Sequence, residues 1–233
     1  MAVERPCIEL GVGEPVSRHP VAARPLLAQM AAKHAPTYHH MGRVSGYAEA
    51  FATQLKLSRA EVRMVSLAAL LHDIGKLDVP DSILTKPGRL TSSEMEIMCH
   101  HAQNGADTLL QTPALAEYAE VVRHHHEWFD GRGYPEGLAG EDIPWVSRVI
   151  GICDAFDTMT TPRPYSKPIS VAQALSQIEA GAGTQFDPDF ARLFVERHRI
   201  GRMTRVLTPT EPGTLDQRPV PLALQLIREA HTS

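Results

Sequence analysis

Leu70-Leu71-His72-Asp73-Ile74-Gly75-Lys76 ends an apolar run, VRMVSLAALL from Val62, with an imidazole directly followed by a carboxylate. Ser58-Arg59-Ala60-Glu61 is a capping box in front of that run, so the spacing predicts a helix whose C-terminal end carries His72 and Asp73. A histidine beside a hard carboxylate suits a borderline divalent cation, and the carboxylate can bridge to a second ion. The pair alone says little, because His-Asp dipeptides arise by chance. It gains weight from His40 upstream and from His101, His125, His126 and Asp154 downstream, each in an otherwise apolar stretch. An unpartnered polar side chain is costly there unless it binds something. Helix bundles gather such residues by aiming them from successive helices at a shared core site, so the expected fold is all-α with a metal centre inside.

Composition narrows the alternatives. A chain of 233 residues can bury roughly 70% of its unfolded surface and needs no disulfide staples. Cys7, Cys99 and Cys153 form no C-x-x-C pair and leave an odd thiol, which favours a reducing cytosol; Cys99 and Cys153 read as small buried hydrophobes. The net charge of −4 with no basic run argues against nucleic acid as a partner. No stretch approaches the ~18–20 apolar residues that span a bilayer, and the first residues lack a signal-peptide pattern. A cytoplasmic protein without a membrane partner is expected.

Three regions are expected: an N-terminal extension over residues 1–32, a metal-binding domain over 33–200, and a tail over 201–233. The extension reads as irregular to about residue 24, with a helix over 26–33. Thr91 and Glu94 form a second capping box, opening one helix through MEIMCHHAQNGADTLL. A helix over 114–126 should end in the histidine run. Pro144 suits the first turn of a helix through WVSRVIGICDAFDTM, which carries Asp154. Ser170 with Gln173 caps another that Gly181 ends as a C′ glycine, and Asp187-Pro188 starts the next. The tail reads as a Pro- and Thr-rich linker with a short helix that docks back or supports a homodimer. His39-His40, His100-His101 and His124-His125-His126 are ambiguous, since adjacent helical residues point about 100° apart. The neighbours His39, His100 and His124 read as solvated or supporting residues, and Glu127 as a carboxylate partner for one of the histidines.

Several further pieces stand in order with HDIGK (72–76): His40 to Val44 as H-x-x-R-V, PDSILTKPGRLT (80–91), and His101 four residues before Gly105. HHEWFDGRGYP (125–135), IPWVSRVIGICDAFD (143–157), Arg163-Pro164-Tyr165 and GTQFDP (183–188) follow. In these the chain resembles the HD-GYP domain family over roughly residues 33–200. The resemblance implies an HD-type helical bundle and a phosphodiesterase that hydrolyses cyclic di-GMP by attack of a metal-bridging hydroxide. It selects His40 and His101 from their pairs. It implies one divalent metal on His40, His72, Asp73 and Asp154, and a second on His101, His125 and His126, with Asp73 bridging. Iron or manganese is the implied occupant, and zinc is compatible with the ligand types.

The resemblance also gives Asp73 and Lys76 catalytic roles, and sets Lys76 and Arg163 against substrate phosphate. Tyr134 and Lys167 are further substrate-binding candidates. It makes the Gly133-Tyr134-Pro135 loop a contact for a diguanylate cyclase partner. Some members carry a glutamate for a third metal where Pro36 stands here, so a dinuclear site and the product pGpG are expected. Ser166 replaces a basic residue after Arg-Pro-Tyr, and Thr158 replaces a small alanine; both leave the substrate less defined than the metals. The competing expectations are a hydrolase of 3′,3′-cyclic GMP-AMP or another nucleotide, and a catalytically weak adaptor docking on a cyclase or regulator.

Overall fold

In a computed structural model of the protein, residues 19–162 and 167–203 are described; Arg163 and the expected tail helix lie outside them. The helices are α1 (His19–Lys33), α2 (Ala35–Gln54), α3 (Arg59–Leu71), α4 (Asp81–Leu84), α5 (Ser92–Cys99) and α6 (His101–Leu110). They continue with α7 (Ala119–Arg123), α8 (Trp145–Thr160), α9 (Val171–Ala180) and α10 (Pro188–Arg199). Short 3-10 turns cover Ile74–Asp78, Pro113–Tyr118 and Gly140–Asp142. Among the described residues β-structure is limited to the isolated bridges Asp130–Ala139 and Ala182–Phe186, so the fold is all-α. No helix among them is long and apolar enough to cross a membrane.

The capping boxes at Ser58/Glu61, Thr91/Glu94 and Ser170/Gln173 form as expected, and Asp187 caps α10 through the N–H groups of Asp189 and Phe190. One core joins α2, α3, α8 and α10. Tyr47 meets Phe156 edge-on at 5.3 Å between ring centres, and Phe51 meets Phe194 at 5.2 Å. Such aromatic pairs add about 0.5–1.5 kcal/mol beyond their buried area. They tie α2, which carries His40, to α8, which carries Asp154, and to α10.

The structure corrects several local expectations. Helix α1 begins at His19, not near residue 26, and buries Ala23, Leu27 and Met30 in the main core. Pro20 lies in its first turn, where no N–H is needed, and Pro25 is tolerated inside it. The helix expected after Thr91 breaks at His100: α5 buries no residue, whereas α6 buries His101, Ala102, Gly105, Ala106 and Leu109. The break lets α6 turn its small-residue face inward independently of exposed α5. The 114–126 segment is a 3-10 turn followed by the short α7, so His124, His125 and His126 follow a helix end. Gly181 has φ −83°, so it is not a left-handed terminator; a Cβ there would lie 2.8 Å from the Phe186 ring.

One close approach sets the site's geometry. Gly75 packs on the backbone of α6 so tightly that a Cβ would fall 2.0 Å from the His101 carbonyl oxygen and 2.3 Å from the Gly105 nitrogen. That contact brings Asp73 and His101 together. Gly75→Ala should therefore cost about 3 kcal/mol, read as a lower midpoint in urea unfolding.

His198 is 6% exposed and packs against the rings of Phe156 and Phe194, and its burial depresses its pKa to about 4. The folded value lies below the unfolded one of about 6.5, so the unfolded chain binds the proton first as the pH falls. Stability should drop by roughly 3 kcal/mol between pH 6.5 and 4 relative to His198→Leu, measured by paired denaturant titrations.

Candidate metal centre

Six segments of the chain converge on one largely buried point. His40 comes from α2, His72 caps the C-terminus of α3, Asp73 opens the following 3-10 turn, and His101 is the first residue of α6. His125 and His126 follow α7, and Asp154 lies on α8. The donor atoms form two groups that share Asp73: His40, His72 and Asp73, and Asp73, His101, His125 and His126. Within each, the donor atoms lie within 4.8 Å of one another. That is close to the ~4.4 Å maximum separation of two donors each about 2.2 Å from one ion. His40 Nε2 lies 3.0 Å from Asp154 Oδ1 and 3.7 Å from Asp73 Oδ2, which sets Asp154 beside the first group. His39 and His100 are exposed, as expected for the non-ligating neighbours.

Hydrogen bonds decide which ring nitrogen faces inward. Nδ1 of His72 lies 2.7 Å from the Ala69 carbonyl oxygen, that of His101 2.6 Å from Met98, and that of His125 2.6 Å from Val122. A carbonyl only accepts, so each Nδ1 carries the proton and each Nε2 offers a lone pair. His40 Nδ1 likewise donates to Asp157 Oδ2 at 2.7 Å. Apart from His40, whose Nε2 lies against Asp154 Oδ1, the centre is lined by acceptors that cannot satisfy one another. His101 Nε2 lies 3.3 Å from Asp73 Oδ1 and 3.4 Å from His125 Nε2, and His72 Nε2 and Asp73 Oδ1 are buried without a hydrogen bond. Imidazole nitrogens and carboxylate oxygens turned toward one point fit divalent cations, which would take the place of the proton His40 shares with Asp154, and the Nδ1 bonds are the outer support that orients metal-binding histidines.

The electrostatics agree. Burial lowers the pKa of His72, pushes that of His125 well down, and takes His126 to about 3, so all three are neutral, as ligands must be. Burial alone would raise Asp73, but Lys76, His72 and His101 outweigh it and hold the carboxyl well below its usual range. Asp154 is depressed likewise, its burial overcome by His40. At His40 burial opposes the proton, yet Asp154 and Asp157 raise its pKa to about 9. Lys76 Nζ pairs with Asp73 Oδ2 at 2.6 Å, and its side chain remains 19% exposed. Thr158 Oγ1 donates to Asp154 Oδ1 at 3.2 Å.

Beside His126 and Asp154 opens a cavity of about 370 Å³, with Trp128, Phe129 and Phe186 among its apolar walls and Gln177 and Gln185 at its polar edge. Tyr134 stacks on the His126 ring at 4.8 Å and 29°. Lys167 is exposed, and Arg163 lies outside the described residues. Two supporting residues escaped the sequence reading. Asp157 takes a two-pronged bond from Arg43, at 2.7 and 2.9 Å, while holding His40. Their signal was their spacing: Arg43 follows His40, and Asp157 follows Asp154, by three residues, which puts each pair on one helix face. Glu127 is not a histidine's partner; its Oε1 accepts from the backbone N–H groups of Glu136 and Gly137. His124 is buried, not solvated, 3.4 Å from Glu136.

The sequence matches the HD domain family over residues 25–190. It is 42% identical over 197 residues to the cyclic di-GMP phosphodiesterase PA4108 of Pseudomonas aeruginosa, covering 82% of this chain and 47% of that protein. It is 38% identical over 159 residues to 3′3′-cGAMP-specific phosphodiesterase 2 of Vibrio cholerae, covering 67% of this chain and 30% of that one. The chain thus spans about half the length, or less, of these curated relatives. Among solved structures, Bd1817 of Bdellovibrio bacteriovorus, described as an HDG"Y"P protein, superposes with a TM-score of 0.60 at 15% identity, covering 82% of this chain and 75% of that one. That likeness establishes the fold.

The Asp157 clamp yields a prediction. An asparagine at 157 can turn its amide N–H toward His40 Nδ1, which drives the ring proton onto Nε2 and aims it into the centre. Asp157→Asn should weaken divalent-cation binding about ten- to hundredfold, measured by manganese titration calorimetry.

Proposed function

Because the chain belongs to the HD domain family, and to its HD-GYP group, we propose that it is a metal-dependent phosphodiesterase that opens cyclic di-GMP to linear pGpG. The observation that carries this reading is the pair of donor groups sharing the buried carboxylate of Asp73. One cation would be held by His40, His72, Asp73 and Asp154, and the other by Asp73, His101, His125 and His126. We take iron or manganese as the occupants; the mixed donor set also accepts zinc. Bound there, two such ions lower the pKa of a water molecule and neutralise charge on the phosphate oxygens.

The chain's own residues do the rest. Asp73 stays ionised, and the bonded Nδ1 atoms keep the imidazoles in the donor tautomer. Lys76, exposed on one side and tied to Asp73 on the other, offers its ammonium to a phosphate oxygen at the mouth. The water oxygen bonds to phosphorus as the P–O3′ bond breaks, leaving a 5′-phosphate and a 3′-hydroxyl. The cavity beside His126 and Asp154 would take one nucleobase, its faces against Trp128 and Phe129 and its polar edge toward Gln177 and Gln185. Arg163 and Lys167 are assigned to the phosphates as part of the same proposal. The Gly133-Tyr134-Pro135 loop, exposed at Pro135, is the surface we assign to a diguanylate cyclase partner.

A second reading, hydrolysis of 3′,3′-cyclic GMP-AMP, draws on the Vibrio cholerae relative. Protein purified without oxygen and loaded with iron or manganese should convert cyclic di-GMP to pGpG, resolved by chromatography. Asp73→Ala should bring turnover to background and lose bound metal. Faster turnover of 3′,3′-cyclic GMP-AMP side by side would favour the second reading, and full activity of Asp73→Ala would sink both.

A further inference from the structure

His126 differs from the other histidines of the centre. Nδ1 of His40, His72, His101 and His125 is held by a carboxylate or carbonyl oxygen at 2.6–2.7 Å. Among the described residues no hydrogen bond orients His126. Its ring is held by faces instead: Tyr134 at 4.8 Å and 29°, His125 at 4.0 Å and 41°, and the His101 ring edge-on at 5.0 Å. Tyr134 is the one of these three rings that stacks nearly parallel on His126.

The loop carrying Tyr134 is itself latched to the strip of chain that carries His126. The Tyr134 N–H donates to the His126 carbonyl oxygen at 3.2 Å. Gly133 lies so close that a Cβ would fall 2.2 Å from the Trp128 nitrogen and 2.5 Å from Glu127 Cα. Glu127, 8% exposed and next in sequence to His126, accepts from Glu136 N at 2.8 Å and Gly137 N at 3.0 Å. A buried carboxylate on two backbone N–H groups is a strong, charge-assisted anchor.

We infer that Tyr134 and Glu127 are positioning residues for His126: the phenol ring sets the plane of the imidazole, and the carboxylate holds the loop that carries that ring. This extends the role of Tyr134 beyond substrate contact, and it rests on the dinuclear reading above. Residues that orient metal ligands are worth about ten- to hundredfold in metal affinity.

The test is manganese binding to the full chain, by calorimetry and chelator competition, for wild type, Tyr134→Phe, Tyr134→Ala, Glu127→Ala, His126→Ala and the double variant His126→Ala/Tyr134→Ala. Wild type should bind two ions. Tyr134→Ala and Glu127→Ala should each weaken the second about ten- to hundredfold, while Tyr134→Phe, which keeps the stacking face, stays within about twofold of wild type. In the His126→Ala background, Tyr134→Ala should change affinity no further, because the residue it orients is gone. A variant that is merely misfolded would add its loss there. Wild-type affinity in Tyr134→Ala or Glu127→Ala, an equal loss in Tyr134→Phe, or additive losses in the double variant would overturn the positioning role alone. A wild type holding a single ion would overturn the dinuclear reading and this inference with it.

Discussion

Asp73 is a carboxylate 1% exposed, ringed by imidazole lone pairs and one ammonium. Burying a charge costs several kcal/mol unless it is paired, and here most of its neighbours present acceptors. The arrangement is tolerable only if positive charge stands between them. Lys76 supplies part of it, and divalent cations fit the remainder. Much of the surrounding architecture serves that one requirement: the end of α3 delivers the carboxylate, and separate helices each turn an imidazole nitrogen toward it.

The scaffold meets this need by rigid contacts. Gly75 lets the 3-10 turn after Asp73 lie directly on α6, which sets His101 against the carboxylate. Asp157, fully buried and forked by Arg43, ties α8 to α2 and holds the tautomer of His40. Backbone carbonyls one turn earlier do the same for His72, His101 and His125. For these three the orienting carbonyl lies in the last turn of the preceding helix, so the helix ends both deliver the candidate ligands and set their proton positions.

The loop after His126 uses different physics. Stacking and a latch replace the Nδ1 bond, and the same segment forms one wall of the cavity beside the centre. Holding His126 through a surface loop would link the geometry of the proposed second metal position to whatever the loop touches, whereas His72, at 0% exposure, is insulated from such contacts.

The all-α character and the candidate donors were legible in sequence because capping boxes, Pro at first helical turns and His or Asp in apolar runs are local signals. His40, His72, Asp73, His101, His125, His126 and Asp154 could each be named from the chain. Resemblance, not periodicity, was needed to choose within the histidine pairs. What sequence alone could not determine came from contacts between residues far apart in the chain. The break at His100, the clamp of Arg43 on Asp157 and the capture of the loop by Glu127 depend on packing and hydrogen-bond partners that no local pattern encodes. The sequence by itself determined which side chains were available to hold a cation. The tertiary structure decided which nitrogen of each faces inward, because a tautomer is set by the partner across the fold.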